Sequence, residues 1–180
     1  MKRLTLLRHA KSDWDDPVAR DFDRPLNRRG EKAAILMGQF AARRAMQFDM
    51  LVASPAVRVV ETLDVIFTGY GQILDAHWDR RIYLASSAIL FDVVRDLPDK
   101  ADSVLMAGHN PGLEELILDL VPDDGNNDLR ENVEAKFPTA SIAVLDLAID
   151  RWSQTREGVA TLASFTRPRD LDPALGPSSR

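Results

Sequence analysis

The sequence predicts a single α/β domain, a three-layer α/β/α sandwich around a mostly parallel central sheet with a mixed or antiparallel edge. Three observations lead there. Short apolar runs alternate with amphipathic stretches at helical spacing from residue 4 to about 120, the pattern of repeated β-α units. Helix starts and stops fall where that pattern needs them, at Asn27, Ser54, Pro98 and Asn110. A chain of 180 residues, 45% apolar and 28% charged, suits one soluble core of ordinary size.

Leu4 to Leu7 is the first strand, followed by a polar stretch from Lys11 to Leu26 that holds Trp14, Pro17 and Pro25. Asn27 caps a helix running to about Met46, with Ala33, Met37, Phe40 and Ala41 on one face. The next strand spans residues 49–53. Ser54 reads as the cap of a second helix with Pro55 in its first turn, where the missing amide hydrogen costs nothing. That helix turns Val57, Val60, Leu63 and Ile66 inward and stops at Gly69-Tyr70-Gly71. A weaker strand is expected over residues 73–77, and a third helix from Ser87 to Leu97, ended by Pro98. Ser103 to Ala107 is another buried strand, and Asn110-Pro111 repeats the cap-then-proline pattern ahead of Leu113 to Leu120. VPDDGNND reads as a loop. Ser141 to Leu147 and Val159 to Phe165 read as two strands joined by a turn, which supply the antiparallel edge. The domain is expected over residues 1–166, with 167–180, RPRDLDPALGPSSR, as a loosely held tail.

Charge and composition exclude several classes. The formal net charge is -5 and the pI about 5.2, so no overall positive field is available to hold a nucleic acid or an anionic membrane. There are no cysteines, which removes disulfides, thiolate metal sites and a cysteine nucleophile together. Leu4 to Leu7 is too short for the apolar region of a secretory signal, and no window approaches the roughly 18 apolar residues of a membrane span; the cytoplasm is the expected address. The three histidines, His9, His77 and His109, lack metalloprotease spacing, and DDGNND lacks the ligand alternation of a calcium loop. No metal and no cofactor is expected.

Three junctions then point one way. In an open α/β sheet the ligand site lies beyond the carboxyl ends of the strands, so polar side chains just after a strand are presented there. LLRHA places Arg8 and His9 in such a position, ASPAVRVVET places Arg58 about one turn into a helix, and AGHNPGLEE places His109 at a strand end. A cation in the first turn opposes the helix dipole by a few tenths to 1 kcal/mol unless an anion lies between them. Two arginines, two histidines and two helix N-termini converging on one volume suit a phosphoryl group. Arginine presents a fixed fork of donors to phosphate oxygens, and a neutral imidazole can attack phosphorus in line and carry the phosphoryl group. On this reading Arg8 and Arg58 clamp the phosphate, His9 is the nucleophile and His109 donates to a phosphoryl oxygen.

Taken singly, each residue has a bland explanation. An Arg-His pair at a strand end can be a surface ion pair or a satisfied core histidine, Arg58 can pair with Glu61, and Asn110-Pro111 starts a helix on any account. All three junctions occur in this order, each at a strand-to-helix boundary, which none of those explanations requires.

LLRHAKS resembles the RHG-type signature of the histidine phosphatase superfamily, with Ala10 in place of the usual glycine. DRPLNRRGEKAA, ASPAVRVVET and AGHNPGLEEL follow in that superfamily's order, from residue 4 to about 120. Together they resemble its branch 1, phosphoglycerate mutase-like in fold, and within it the SixA-type phosphohistidine phosphatases. The resemblance implies Arg8 and Arg58 as phosphate-binding arginines, His9 as the phosphorylated nucleophile, His109 as the second pocket histidine, Arg24 as a peripheral substrate contact and Asn110 as an amide lent to the phosphate. Arg24 could equally pair with Asp21 or Asp23. It also implies a partner that is either a histidine-phosphorylated protein or a small phosphorylated metabolite.

Larger relatives that cleave esters place a carboxylic acid after the second helix to protonate the leaving alcohol. Here that region reads HWDRRIYLASS, with only Asp79 as a possible acid. An imidazole, with a pKa of roughly 6.5, leaves without a strong dedicated acid, so the pattern favours phosphohistidine over an alkyl ester. A small-molecule phosphomonoesterase using Asp79 and a non-catalytic phosphate-binding module are the alternatives; the chain lacks room for the insertions that shape a phosphoglycerate mutase site.

Overall fold

A computed structural model describes residues 1–177. Six strands form one sheet: β1 (Lys2–Arg8), β2 (Met50–Ala53), β3 (Ala76–Trp78), β4 (Ser103–Gly108), β5 (Ile142–Leu147) and β6 (Ala160–Thr166), in the spatial order β3-β2-β4-β1-β5-β6. β3, β2, β4 and β1 run parallel, whereas β5 pairs antiparallel with β1 and β6 antiparallel with β5. The expected α/β class and antiparallel edge are therefore both present.

β1 shows why its residues form a central strand. Leu4 and Leu6 pack into the core on one face of the sheet and Leu7 into the core on the other, all at most 1% exposed, so the run is apolar because both faces are covered. One face carries α1 (Arg28–Arg43) and α2 (Val57–Tyr70), and the other carries α3 (Ser87–Arg95), α4 (Gly112–Leu120) and α5 (Asp128–Ala135). α1 and α2 approach closely at Gly38, where an added Cβ would lie 2.2 Å from the Ile66 carbonyl oxygen.

Several local expectations shift. Asn27 does cap α1, its side chain accepting from the Gly30 amide. Ser54 is not a helix cap, because α2 begins only at Val57 after Ala56. Asn110 likewise lies outside α4, with Pro111 in the cap position. β3 sits a few residues later than expected, at Ala76–Trp78. α5 follows the VPDDGNND loop, capped by the Asn127 side chain; Val133 is buried and Leu129, one turn earlier, is partly buried against the same core. Of the stretch expected to be a loose tail, the described part holds a short helix, α6 (Pro168–Leu171), with Pro168 buried, and a 3-10 turn at Pro173–Leu175. Residues 178–180 lie outside the described residues. Among the described residues no helix is long and apolar enough to cross a membrane.

Candidate active site

The sheet order decides what meets at its carboxyl edge. β2, β4 and β1 are neighbours there, so the segments that follow them converge on one cavity of about 760 Å³. Arg8, His9, Arg24, Arg58, His109 and Asn110 all line it. Asp79 does not. Its carboxylate accepts from the Arg81 amide and guanidinium, which holds it below the usual carboxylate range and leaves it no proton to give near neutral pH.

His9 is 8% exposed and its Nδ1 lies 2.7 Å from the Ala10 carbonyl oxygen. A carbonyl can only accept, so Nδ1 carries the proton and the lone pair is left on Nε2. Burial first, and the nearby guanidinia of Arg8, Arg58 and Arg24 after it, push the His9 pKa down to about 3. The ring is neutral at physiological pH. Ala10 is fully buried and its amide donates to Thr62 Oγ1 on α2, fixing the turn after His9. Its φ is not positive, so alanine fits where glycine is usual.

His109 stands beside it, with ring centroids 5.3 Å apart, and is 3% exposed. Its Nε2 lies 2.8 Å from Ser54 Oγ, which also accepts from the Ala56 amide at 3.3 Å. Ser54 is fully buried and its hydroxyl has no other acceptor among the described residues, so its hydrogen goes to Nε2 and Nδ1 keeps a proton for the cavity. Burial, followed by the neighbouring His9 and Arg58, lowers the His109 pKa to about 3.

The guanidinia sit around these rings. Arg58 is 2% exposed and donates to the Asp21 backbone oxygen at 2.8 Å and to its carboxylate at 3.0 Å. Arg24 reaches the other Asp21 oxygen at 2.7 Å and also donates to Ser12 Oγ. Arg8 donates to the Phe137 carbonyl at 3.0 Å. Glu61, offered by the sequence as a partner for Arg58, instead accepts from the Leu26 amide. Arg8 Nε, Arg24 Nε, Arg58 Nε and His109 Nδ1 are buried nitrogens with no hydrogen-bond partner among the described residues. All four belong to side chains that line the cavity, and they leave donor capacity of the kind an anion takes up. Asn110 differs from expectation: its amide donates to Phe137 O at 3.0 Å, and the atom without a partner is its acceptor Oδ1.

The sequence offers Asp21 only as an ion-pair partner for Arg24. It is the one carboxylate lining the cavity among the described residues, and Tyr83 Oη also donates to it at 2.8 Å. Arg24 foremost, then Tyr83 and Arg58, hold it far below the usual carboxylate range. Nothing local in the sequence marks Ser54 as a site residue, because a serine before a proline reads as a helix cap. Among the described residues no group of three or more His, Asp or Glu side chains could hold a metal ion.

The model of the histidine phosphatase superfamily (branch 1) matches residues 4–82. A solved SixA structure from Agrobacterium tumefaciens is 30% identical and superposes with a TM-score of 0.77, covering 93% of this chain and 98% of that one. The chain belongs to the histidine phosphatase superfamily. SixA from Nakamurella multipartitia superposes with a TM-score of 0.80 at 25% identity, over 93% of this chain and 96% of that one. An uncharacterised protein of Mycobacterium tuberculosis is 33% identical over 164 residues, 91% of this chain and 100% of that protein. The fold is phosphoglycerate mutase-like and the likeness to SixA structures places this histidine phosphatase in the SixA-type branch. It is an enzyme of the phosphatase class.

Proposed function

We propose that this histidine phosphatase removes the phosphoryl group from phosphohistidine on a protein through a covalent intermediate on His9. The observation that carries the substrate class is the absence of a protonated carboxylic acid among the described residues lining the cavity: its one carboxylate, Asp21, is held ionised by two arginines and Tyr83. An alkoxide leaving group needs a proton in the transition state. A phosphohistidine protonated on its other ring nitrogen releases neutral imidazole, so none is required.

In the first step His9 Nε2 attacks phosphorus as the P–N bond of the substrate breaks. Both the nucleophile and the leaving group are imidazoles, so the transfer is close to balanced in energy. Arg8 and Arg58, with His109 Nδ1–H, stabilise the negative charge spread over the equatorial oxygens. In the second step a water attacks phospho-His9, its proton passes to solvent or to the released phosphate, and His9 is restored. The similarity to SixA structures supports this reading alongside the geometry.

The test measures phosphate release from a histidine-phosphorylated phosphocarrier protein beside para-nitrophenyl phosphate, a phosphoserine peptide and a His9→Ala control. The expected result is rapid release from the first, lost in His9→Ala. Release mainly from the esters would replace the proposal with a general phosphomonoesterase, and no release from any substrate would leave a phosphate-binding module.

A further inference from the structure

The cavity is far more positive than the chain that builds it. The sequence has 28 acidic and 23 basic residues, yet beyond the three guanidinia of the floor five more cations ring the mouth: Lys11, Arg29, Lys136, Arg167 and Arg169. They come from four separate segments: the loop after β1, the first turn of α1, the end of α5 and the α6 segment. No single basic run explains them. A phosphoryl group carries at most two negative charges, and the floor arginines already answer those. Arg167 pairs with Asp170 at 2.8 Å and Arg29 donates to the Gly176 carbonyl. Lys11, Lys136 and Arg169 have no ion-pair partner among the described residues. Unbalanced like charges repel, so such a ring suits negative charge brought by something else.

The apolar part of the mouth separates a macromolecule from a metabolite. Trp14 is 77% exposed and Leu84 55% exposed, and both line the opening. The Arg24 guanidinium lies over the Trp14 ring, 3.5 Å from its centroid, which stiffens an indole that otherwise faces water. A small molecule inside the cavity would leave that surface wet, whereas a protein face laid over the mouth would cover it. Tryptophan and arginine are the residues that most often anchor such contacts.

We propose that the mouth docks an acidic protein surface: the partner presents its phosphohistidine among carboxylates, which meet Lys11, Lys136 and Arg169 while Trp14 and Leu84 supply the apolar contact. This rests on the phosphohistidine reading and adds the chemistry of the partner. Rim charges of this kind set association rate and partner choice, and they are screened by salt.

The test uses the His9→Ala protein and two labelled peptides of equal length, each carrying a stable phosphohistidine analogue, one flanked by glutamates and one by lysines. Anisotropy titration at low salt is expected to show the glutamate peptide bound at least about tenfold more tightly, with the gap narrowing near 0.2 M salt. The Lys11→Glu/Lys136→Glu/Arg169→Glu variant is expected to abolish or reverse the preference, and Trp14→Ala to weaken binding of the glutamate peptide. Equal affinities, or a preference the charge reversal leaves intact, would overturn the proposal. So would inorganic pyrophosphate binding more tightly than the glutamate peptide, which would make the rim a subsite for a small polyanion. Binding is read in a variant without the nucleophile, so it is independent of turnover: a glutamate preference in a protein whose wild type fails to hydrolyse phosphohistidine would keep the acidic docking and remove the phosphohistidine.

Discussion

Ser54 offers the sharpest test of how this site is held, because its partner is 55 residues away and it touches no substrate in the proposed mechanism. Ser54→Ala removes one oxygen from a fully buried position and leaves His109 Nε2 facing an alanine methyl. An unsatisfied polar atom at a buried site costs about 1–3 kcal/mol. That ring would also lose the hydrogen bond that sets its tautomer, so the proton expected on Nδ1 is no longer fixed toward the cavity. If the full penalty appears in the transition state, at about 1.4 kcal/mol per decade, single-turnover dephosphorylation slows by about 5- to 150-fold. The assay is a rapid-quench time course with wild type, Ser54→Ala, His109→Ala and the double variant. A residue that acts only through His109 adds nothing once His109 is gone, so the double variant is expected to match His109→Ala. A Ser54→Ala rate within twofold of wild type would refute the reasoning, and so would strict additivity of the two effects.

Three other perturbations follow from the same geometry. Asp21→Asn frees Arg24 and Arg58 from a competing carboxylate, so inorganic phosphate is expected to inhibit at severalfold lower concentration, while stability changes by about 1 kcal/mol or less because Asp21 is partly exposed; weaker inhibition would mean that the carboxylate orients the guanidinia rather than competing for them. Gly30→Ala puts a Cβ 2.1 Å from the Lys11 carbonyl oxygen and 2.9 Å from its nitrogen, both backbone atoms of the loop that follows His9. α1 must withdraw, with an expected loss of about 1–3 kcal/mol in urea denaturation, and an unchanged midpoint would contradict the contact. His9 and His109 have folded pKa values of about 3 against 6.5 when unfolded, so between those values the unfolded chain binds more protons. Stability is expected to be full above pH 6.5 and to fall on acidification toward pH 3, at up to about 1.4 kcal/mol per pH unit for each ring. Saturating phosphate, which favours charged imidazoles, should flatten that fall in thermal melts; a melting temperature flat between pH 6.5 and 4 would show that the rings are not buried neutral.

What the sequence alone determined is local. Leu4 to Leu7 ending on Arg8 and His9, Arg58 in the first turn of α2, and His109 closing β4 are readable because strand and helix periods and their boundaries depend on neighbours a few residues apart. Those junctions carry the proposed chemistry, and the order of the blocks carries the resemblance to the family. Tertiary structure alone placed β2, β4 and β1 side by side, so that the three junctions share one cavity. It also turned Ser54 from an apparent helix cap into the partner of His109, made Asp21 a bridge between Arg24 and Arg58, left Asp79 bound to Arg81 outside the site, and brought Lys136, Arg167 and Arg169 to the rim. The reason is physical. Propensity and hydrophobic patterning act over one turn or one strand, whereas a buried hydrogen bond or the field of a pocket depends on which distant segments the packed core forces together.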